Sequence, residues 1–414
     1  MRHRNRSSLW LFASLAAPIL LAAACGSEPQ PQSPADEPPP ASPPASKAPE
    51  TSAGASTTAA PAAPTTPAAE ATPAAAVAAK TPKQVTGVAV SKTGRLFVNF
   101  PRWVDEPTPS VAEVAADGSL TPYPDAAWNG WQKDKGDVKK QFVCVQSVFV
   151  DDTDTLWILD PAAPAFQGPV RGGPKLLKVN LATNKVERVY AFDDKAAPQG
   201  SYLNDVRIAN GHALMTDSGL GAIVVLHLGT GKARRLLDKA PPTKAEAGIE
   251  ATIGGKPWRG GDGKTPAINS DGIALDPKRE HLYFQALTGK TLYRVPVAAL
   301  LDDKLAPDAL GQKVERVTAT QPTDGIEFDA AGNLYMTALE ESAIKVLRPG
   351  GKLEVFAQAA EYEWPDSIAI GPSGDLYFTT SQIHLMPAFN GGKDMRKPPY
   401  RVYRISTAGA AGKL

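Results

Sequence analysis

One short phrase recurs six times along the chain between residues 85 and 405. Each copy consists of a polar residue, a short apolar strand, a turn and a second strand that opens on Leu. The copies are TGVAV, QSVFV, NDVRI, DGIAL, DGIEF and DSIAI, beginning at residues 86, 146, 204, 271, 324 and 366. The third residue of a copy precedes the next Leu by eight positions, or by nine in the fourth copy. Strand units that repeat every 42 to 67 residues predict an all-β fold, a six-bladed β-propeller.

The first strand of each copy is apolar at consecutive positions, as in residues 272–275. That pattern suits the innermost strand of a blade, which is covered by neighbouring blades on both faces. The Leu of the second strand is expected to be the constant packing residue. We predict one propeller domain over residues 84–408, and the sequence leaves open how blade six closes against blade one.

The first fifth of the chain is predicted to lie outside this domain. Three arginines precede an apolar run that ends at Cys25, so residues 1–24 are predicted to be a signal peptide. The sequence around Cys25 resembles a bacterial lipobox, which implies lipidation of Cys25; an ordinary signal cleaved nearby is the alternative. Residues 25–83 are rich in Pro, Ala, Ser and Thr and are predicted to form a disordered tether. The expected location is therefore extracytoplasmic, with a lipid anchor as the only membrane attachment.

Composition and motif searches exclude several classes of function. The net charge is +1 and no basic stripe is visible, which argues against a nucleic-acid-binding surface. No histidine pair has zinc spacing and no nucleophile elbow occurs. Cys144 lies in the apolar run FVCVQSVFV and is expected to be a buried structural thiol. The oligomeric state is not indicated.

A candidate site follows from the propeller geometry, because the first residues of the innermost strands face one another at one end of the channel. These residues are Thr86, Gln146, Asn204, Asp271, Asp324 and Asp366, with Asp205 beside them. Converging carboxylates are costly unless a cation joins them, and carboxylate and amide oxygens suit calcium. Asn204, Asp271 and Asp324 are the predicted metal ligands. The alternative is that Asp-Gly and Asn-Asp are ordinary turn chemistry in a solvated channel.

Two long insertions and several tryptophans accompany this site. Residues 162–174 and 245–269 are loops of the kind that form lids or rims over a site. Tryptophans at positions 103, 128, 131, 258 and 364 fall in loops or at strand ends. Packing at the blade rims explains most of them. Tryptophans that lie beside carboxylates at the channel mouth would bind an aromatic amine by stacking and cation–π attraction.

The chain resembles the yellow and major royal jelly protein family, particularly its bacterial members. The resemblance rests on YLNDVR (202–207), MTDSGLGAI (215–223), DGIAL (271–275), LTG (287–289), WPDS (364–367) and MPAFNGGKD (386–394). It extends over about residues 85–406 and implies a secreted six-bladed propeller. It does not specify a function, because members of the family are linked to pigment chemistry and to the binding of amines, sterols or proteins.

A more distant similarity is to calcium-dependent lactonases and phosphotriesterases of the gluconolactonase type. Asn204, Asp271 and Asp324 match the later blades of that pattern, whereas Thr86 stands where those proteins carry Glu. We therefore expect a small cationic or aromatic ligand at the channel mouth, together with a metal, calcium being the candidate. A calcium-dependent lactonase or esterase is the alternative, and whether the protein is an enzyme stays open. A scaffold for protein partners is the third reading.

Overall fold

The computed structural model describes residues 75–104 and 109–407, and these form a six-bladed β-propeller. Each blade is an antiparallel four-stranded sheet. Every innermost strand contacts the innermost strands of its two neighbouring blades, so the ring is closed. The predicted all-β six-bladed fold is confirmed. The predicted signal peptide 1–24, Cys25 and most of the predicted tether lie outside the described residues.

The strands of each blade are given from the innermost to the outermost. Blade one contains Val88–Val90, Leu96–Asn99, Val111–Val114 and Leu120–Pro122. Blade two contains Ser147–Val150, Thr155–Asp160, Lys175–Asn180 and Lys185–Ala191. Blade three contains Leu203–Ala209, His212–Asp217, Ala222–His227 and Ala233–Leu236. Blade four contains Ser270–Leu275, His281–Ala286, Thr291–Pro296 and Glu315–Ala319. Blade five contains Ile326–Phe328, Leu334–Ala338, Ala343–Leu347 and Leu353–Gln358. Blade six contains Pro365–Ile370, Leu376–Thr380, Tyr400–Ile405 and Ala76–Thr81.

The ring closes through the strand Ala76–Thr81, which is the outermost strand of blade six. It pairs antiparallel with Tyr400–Ile405, the last strand of the chain that the structure describes. This strand lies inside the segment 25–83 for which the sequence predicts a disordered tether, so the ordered domain begins earlier than expected. Its small side chains gave no packing signal in the sequence, because its order comes from backbone hydrogen bonds to an exposed sheet edge.

The repeated Leu is buried in all six blades, with at most 9 % of its surface exposed. The innermost strand of blade one, Val88–Val90, is buried at every position, as expected for a strand covered on both faces. Blade-to-blade packing of these apolar faces forms most of the core and fixes the strands that begin at the channel mouth.

The remaining regular elements are short. The described part of the chain has two helical turns, Val297–Leu301 and Pro307–Gly311, and a two-stranded hairpin of Thr252–Ile253 and Lys256–Pro257. It also has 3-10 turns at Pro164–Phe166, Pro241–Thr243, Ile383–Leu385 and Pro387–Phe389. Within residues 75–104 and 109–407, no helix has the length and apolar character needed to cross a membrane.

Candidate functional site

Local irregularities in the innermost strands position the residues of the channel mouth. The pairing register shifts between Leu203 and Val206 in blade three and between Ser270 and Ile273 in blade four. Blade six has the same shift at its own mouth residue, Asp366. A bulge of this kind redirects a side chain away from the regular alternation of a strand. The mouth residues Asn204, Asp271 and Asp366 therefore stand at bulged positions.

The glycines that follow two of the mouth carboxylates have a packing role. A Cβ atom on Gly272 would collide with the backbone oxygen of Asp324, and a Cβ on Gly325 would collide with that of Asp366. The amide of Gly325 also donates a 3.0 Å hydrogen bond to the Asp366 carbonyl. The Asp-Gly pairs thus allow neighbouring blades to approach closely at the mouth, which turn chemistry alone does not explain.

Three carboxylates are buried together at this end of the channel. Asp271, Asp324 and Asp366 are 3 %, 6 % and 3 % exposed. The amide of Asn204 donates a 2.9 Å hydrogen bond to Asp271 Oδ2. The indole Nε1 of Trp364 donates a 2.7 Å hydrogen bond to Asp324 Oδ2. The structure therefore brings together four of the seven residues expected at the mouth.

Burial and mutual repulsion raise the pKa values of these carboxyl groups. For Asp271 the main cause is burial, followed by the charges of Asp324 and Asp366, and its pKa lies well above the usual value. Burial likewise raises the pKa of Asp366 well above the usual value. The pKa of Asp324 rises to about 6, because burial outweighs the stabilising hydrogen bond from Trp364. The cluster holds protons that exposed aspartates would release.

No positively charged side chain among the described residues forms an ion pair with Asp271, Asp324 or Asp366, and none is among the leading causes of their pKa shifts. Asp366 Oδ2 is also buried without a hydrogen-bond partner in that part of the chain. A buried carboxylate oxygen that lacks a partner is rare in native proteins. The cluster can therefore accept a cation or additional protons.

The other three predicted site residues have different surroundings. Thr86 is fully buried and its hydroxyl accepts a 3.0 Å hydrogen bond from the amide of Asn99. Gln146 accepts a 2.9 Å hydrogen bond from the hydroxyl of Tyr202. Asp205 does not join the cluster at the mouth, because its side chain bonds Ser147 and Arg207 and lines a cavity at the other end of the channel. Adjacent residues of a strand point in different directions, so Asp205 cannot follow Asn204.

Arg207 crosses the channel below the carboxylates. Its guanidinium forms ion pairs of 2.8 Å with Asp205 and 2.9 Å with Glu327, and lies 4.8 Å from the ring centre of Phe149. The Arg207 side chain is 4 % exposed. We call Arg207, Asp205 and Glu327 the channel plug. Asp205 and Glu327 already neutralise the positive charge of Arg207. The plug therefore gives the mouth cluster no direct counter-ion.

Aromatic loops cover the carboxylate end. Trp258, from insertion 245–269, packs edge-on against Trp364 and against Phe389. The Trp364 ring also stacks on His384, whose pKa burial lowers to about 4. Trp364 itself has a φ of 59°, an uncommon backbone conformation for a bulky residue. We call Trp258, His384 and Phe389 the first lid.

The other insertion covers the adjoining part of the mouth. Phe166, in insertion 162–174, stacks on Trp103 with ring centres 5.0 Å apart and packs against Tyr202. Trp103 Nε1 donates a 2.6 Å hydrogen bond to the hydroxyl of Tyr202, which in turn bonds Gln146. Phe166 is 55 % exposed, so this cover is an aromatic surface open to solvent on its outer side.

Sequence reasoning missed the roles of Trp364, Arg207 and Glu327. One signal for the plug was available, because Arg207 and Glu327 occupy the same position of two repeats, one residue after Val206 and Ile326. The other repeats carry Ala or Phe at that position, so charged residues there stand out. No pattern along the sequence indicated the hydrogen bond from Trp364 to Asp324, which joins two loops.

Two further groups with reactive or metal-ligating side chains have structural roles. Cys144 is buried as expected, and burial raises the pKa of its thiol to about 12, so it is not a reactive thiolate. Asp276, Glu280 and His281 have ligand atoms within 4.8 Å of one another in the first turn of blade four. The Asp276 carboxylate already accepts backbone hydrogen bonds from the other two residues, which accounts for this group.

Several solved structures are similar to this chain. A gluconolactonase from Xanthomonas campestris matches at 11 % identity and a TM-score of 0.48, over 80 % of this chain and 88 % of its own. Virginiamycin B lyase from Staphylococcus aureus matches at 16 % identity and a TM-score of 0.43, over 74 % and 81 %. The PQQ-bound aldose sugar dehydrogenase from Streptomyces coelicolor matches at 12 % and 0.47, over 80 % and 96 %. Neither the fold nor the site described above depends on these likenesses.

Sequence families give a clearer result. No curated protein matches the chain significantly. The model of the family described as "Major royal jelly protein" matches residues 143–382, which is more than half of the chain. That region includes five of the six mouth residues of the repeats and the whole channel plug. The chain therefore belongs to the major royal jelly protein family.

Proposed function

We propose that this protein is an extracytoplasmic binding protein that holds a cationic ligand at its channel mouth. The observation that carries the proposal is the buried cluster of Asp271, Asp324 and Asp366, which has no ion-pair partner among the described residues and has raised pKa values. Three buried ionised carboxylates cost several kcal/mol each unless a positive charge compensates them. A cation that displaces the retained protons would recover this energy at neutral pH.

A metal ion fits the site in its closed form, with the first lid in place. The unpaired Oδ2 of Asp366 is buried, and the amide of Asn204 donates to Asp271 and Ser218 while its Oδ1 accepts no hydrogen bond from a described residue. Calcium prefers carboxylate and amide oxygens and tolerates irregular geometry. Asn204, Asp271 and Asp366 would hold it, with Asp324 completing the set beside Trp364. An organic cation would instead require the first lid to open.

The calcium-dependent hydrolase is not our proposal. The blade-one position, where proteins of the gluconolactonase type carry Glu, is the fully buried Thr86, whose hydroxyl is engaged by Asn99. Its backbone oxygen also accepts a 2.5 Å hydrogen bond from Thr379. Thr86 therefore serves to join blades one and six. No observation favours hydrolysis over binding.

The proposed location rests on the sequence before the propeller. A cationic start, an apolar run and Cys25 at its end support export and lipidation, and the Pro- and Ala-rich segment supports a tether. Cys25→Ser should release the protein from the membrane fraction without changing its melting temperature. Mass spectrometry of the amino terminus should show acylated Cys25 in the parent; an unmodified chain starting elsewhere would contradict lipidation.

Thermal unfolding with and without calcium tests the binding site. Calcium at about 100 times its dissociation constant should add about 2.7 kcal/mol to the free energy of unfolding. Asp324→Ala should therefore lower the melting temperature in calcium while changing it little in chelator. Asp303→Ala is the control, because the Asp303 side chain is 82 % exposed and lies between the two helical turns of blade four, outside the mouth cluster. Equal losses with and without calcium in Asp324→Ala would contradict cation binding.

A further inference from the structure

A cavity of 720 Å³ lies beside the first lid, away from the central channel. One of its walls is the hairpin at residues 252–257, and another is the loop that carries His384 and Phe389. The outer half of blade five supplies the rest, at residues 340–342 and 358–360. No lining residue belongs to an innermost strand, so the cavity is separate from the channel. We call it the lateral cavity.

Two residues of the first lid bring unsatisfied hydrogen-bonding groups to the lateral cavity. Trp258 Nε1 and His384 Nδ1 are both buried without a hydrogen-bond partner among the described residues. Trp258 is 4 % exposed, and its indole N–H can only donate. Burial lowers the pKa of His384 to about 4, so its imidazole is neutral at pH 7. Buried polar groups of native proteins normally have partners, so we expect the cavity to hold a molecule that supplies them.

The lateral cavity also presents hydrogen-bond acceptors. The side-chain amide nitrogens of Gln358 and Asn390 donate to backbone carbonyls, which leaves the amide oxygens of both residues as acceptors. Glu363 adds a carboxylate that forms no ion pair within the described part of the chain. A hydroxyl group both donates and accepts, so a ligand with several hydroxyl groups can satisfy the indole N–H and these oxygens together.

The charges at the lateral cavity balance. Its carboxylates belong to Glu340, Glu341 and Glu363, and Lys256 is the one lysine of its lining. Glu340 pairs at 3.6 Å with a lysine outside the lining, and Glu341 pairs with another. Glu363 and Lys256 then carry opposite charges. This balance favours neither anions nor cations, so we expect a neutral ligand.

The lateral cavity has an apolar wall as well as polar groups. Leu385, Phe389 and Met395 line it and are half-buried, so each keeps some apolar surface accessible. An apolar wall with a few convergent polar groups is typical of a small-molecule site, and the volume is within the usual range of about 300–1,000 Å³. The C–H faces of a sugar ring fit such a wall, while its hydroxyl groups reach the polar side chains.

We propose that the lateral cavity is a second binding site, which takes a neutral saccharide. The hydroxyl groups of the sugar accept from Trp258 Nε1 and donate to Glu363. They also donate to the amide oxygens of Gln358 and Asn390. The proposal does not depend on cation binding at the channel mouth, because none of the mouth carboxylates lines this cavity.

Saturation-transfer NMR of the full chain with a panel of sugars tests the lateral cavity. The neutral probes are glucose, galactose, mannose, N-acetylglucosamine, maltose and cellobiose, and the charged probes are glucuronate and spermidine. At least one neutral sugar should bind saturably, and more tightly than either charged probe. Absence of binding by all six sugars, or tighter binding of glucuronate or spermidine, would overturn the proposal. The titrations are made in chelator, so the result is independent of the mouth site.

A pair of filling variants places the bound sugar in the cavity. Ala360 is an exposed alanine of the lining, and Ala360→Trp should weaken binding of the best neutral sugar about tenfold. Ala331→Trp is the matched control, because Ala331 is also exposed and lies in a turn of blade five outside the cavity. It should leave binding unchanged. Equal affinities in the two variants would contradict binding in the lateral cavity.

A pair of isosteric variants tests the hydrogen bonds. Glu363→Gln replaces a charged acceptor with a neutral amide and should weaken sugar binding about fivefold. Glu361→Gln makes the same change two residues away, at an exposed position that does not line the cavity, and should have no effect. A Glu363→Gln variant that binds the sugar as tightly as Glu361→Gln would overturn the assigned role of Glu363 and the proposal with it.

Discussion

Arg207 of blade three forms a 2.9 Å ion pair with Glu327 of blade five, across the channel and past the intervening blade four. Both residues occupy the same position of their repeats. In blade two that position is Phe149, which lies under the guanidinium. The remaining blades carry Ala89, Ala274 and Ala369 there, and these small side chains leave room for the arginine. This one position of the six repeats therefore supplies both charged residues of the Arg207–Glu327 pair and the small residues that leave room for it.

Arg207→Met should destabilise the protein strongly. Removing the guanidinium leaves the Asp205 and Glu327 carboxylates without a counter-ion, and such losses cost about 3–5 kcal/mol. The triple variant Arg207→Met, Asp205→Asn, Glu327→Gln should recover part of this loss, because no unpaired charge remains. Urea unfolding of the full chain measures both effects.

The control for the plug is Arg279→Met. Arg279 pairs with Asp152 at the rim, and the two side chains are 38 % and 62 % exposed. Exposed pairs of this kind contribute about 0–1 kcal/mol. If the two arginine variants lose the same stability, the plug is not the buried charge network described above.

Stability in chelator should fall as the pH rises through the folded pKa values of the mouth carboxylates, of which that of Asp324 is about 6. The pKa values of Asp271, Asp324 and Asp366 are higher in the folded than in the unfolded chain, so the folded protein retains more protons. The free energy of unfolding then decreases by about 1.4 kcal/mol per pH unit for each proton retained. Asp366→Asn should flatten this dependence, and calcium should reduce it.

His384 limits the pH window in which this effect is read. Its pKa is lowered to about 4, so below about 6.5 only the unfolded imidazole gains a proton and the folded state loses stability. The carboxylates and the histidine therefore act in opposite directions below pH 6.5, whereas only the carboxylates contribute above it. Comparison of the parent with Asp366→Asn removes the histidine contribution, because both proteins carry His384; identical pH dependences of stability would argue against a raised pKa of Asp366.

Trp364→Phe should weaken calcium binding at the mouth. The variant removes the indole donor that stabilises the ionised form of Asp324, so the pKa of Asp324 should rise above its value of about 6. A hydrogen bond to a charged group contributes about 1.5–3 kcal/mol, which corresponds to at least a tenfold loss of calcium affinity. Calorimetric titration at pH 7 measures this change.

The matched control is Trp157→Phe. Trp157 Nε1 donates a 2.8 Å hydrogen bond to Asp151, which lies in a turn of blade two at the end opposite the channel mouth. Both variants remove an indole donor from a buried tryptophan. Trp157→Phe should lose stability without losing calcium affinity. Unchanged affinity in Trp364→Phe would mean that Asp324 is not part of a cation site.

Deletion of Ala76–Thr81 should open the ring. The strand Tyr400–Ile405 would lose its hydrogen-bonded partner and expose a sheet edge, which promotes both unfolding and association. Deletion of residues 60–65, six residues of the Pro- and Ala-rich segment, is the control. The first deletion should lower the melting temperature and increase light scattering, and the second should do neither. Equal melting temperatures would show that closure by this strand is dispensable.

The fold was predictable because the same strand pattern recurs six times along the sequence. The paired first and second strands, the buried Leu and the position of the mouth residues all follow from the repeat that a single sequence displays. The closing strand was not predictable, since Ala76–Thr81 resembles the tether in composition and is ordered only by pairing with residues more than 300 positions away.

The site was predictable in part for the same physical reason. Asn204, Asp271, Asp324 and Asp366 begin repeated strands, so the ring geometry alone brings them together. Asp205 was misplaced because the side chains of adjacent strand residues point in different directions, so Asp205 does not share the surroundings of Asn204. The indole hydrogen bond of Trp364 depends on loop conformation, which the repeats do not encode.

The most direct test of the cation site is the metal content of the full chain after equilibration in calcium and removal of free ion. Our interpretation predicts about one calcium per chain in the parent, and none in the double variant Asp271→Asn, Asp366→Asn. A parent protein that retains no metal, or a double variant that retains as much as the parent, would contradict it.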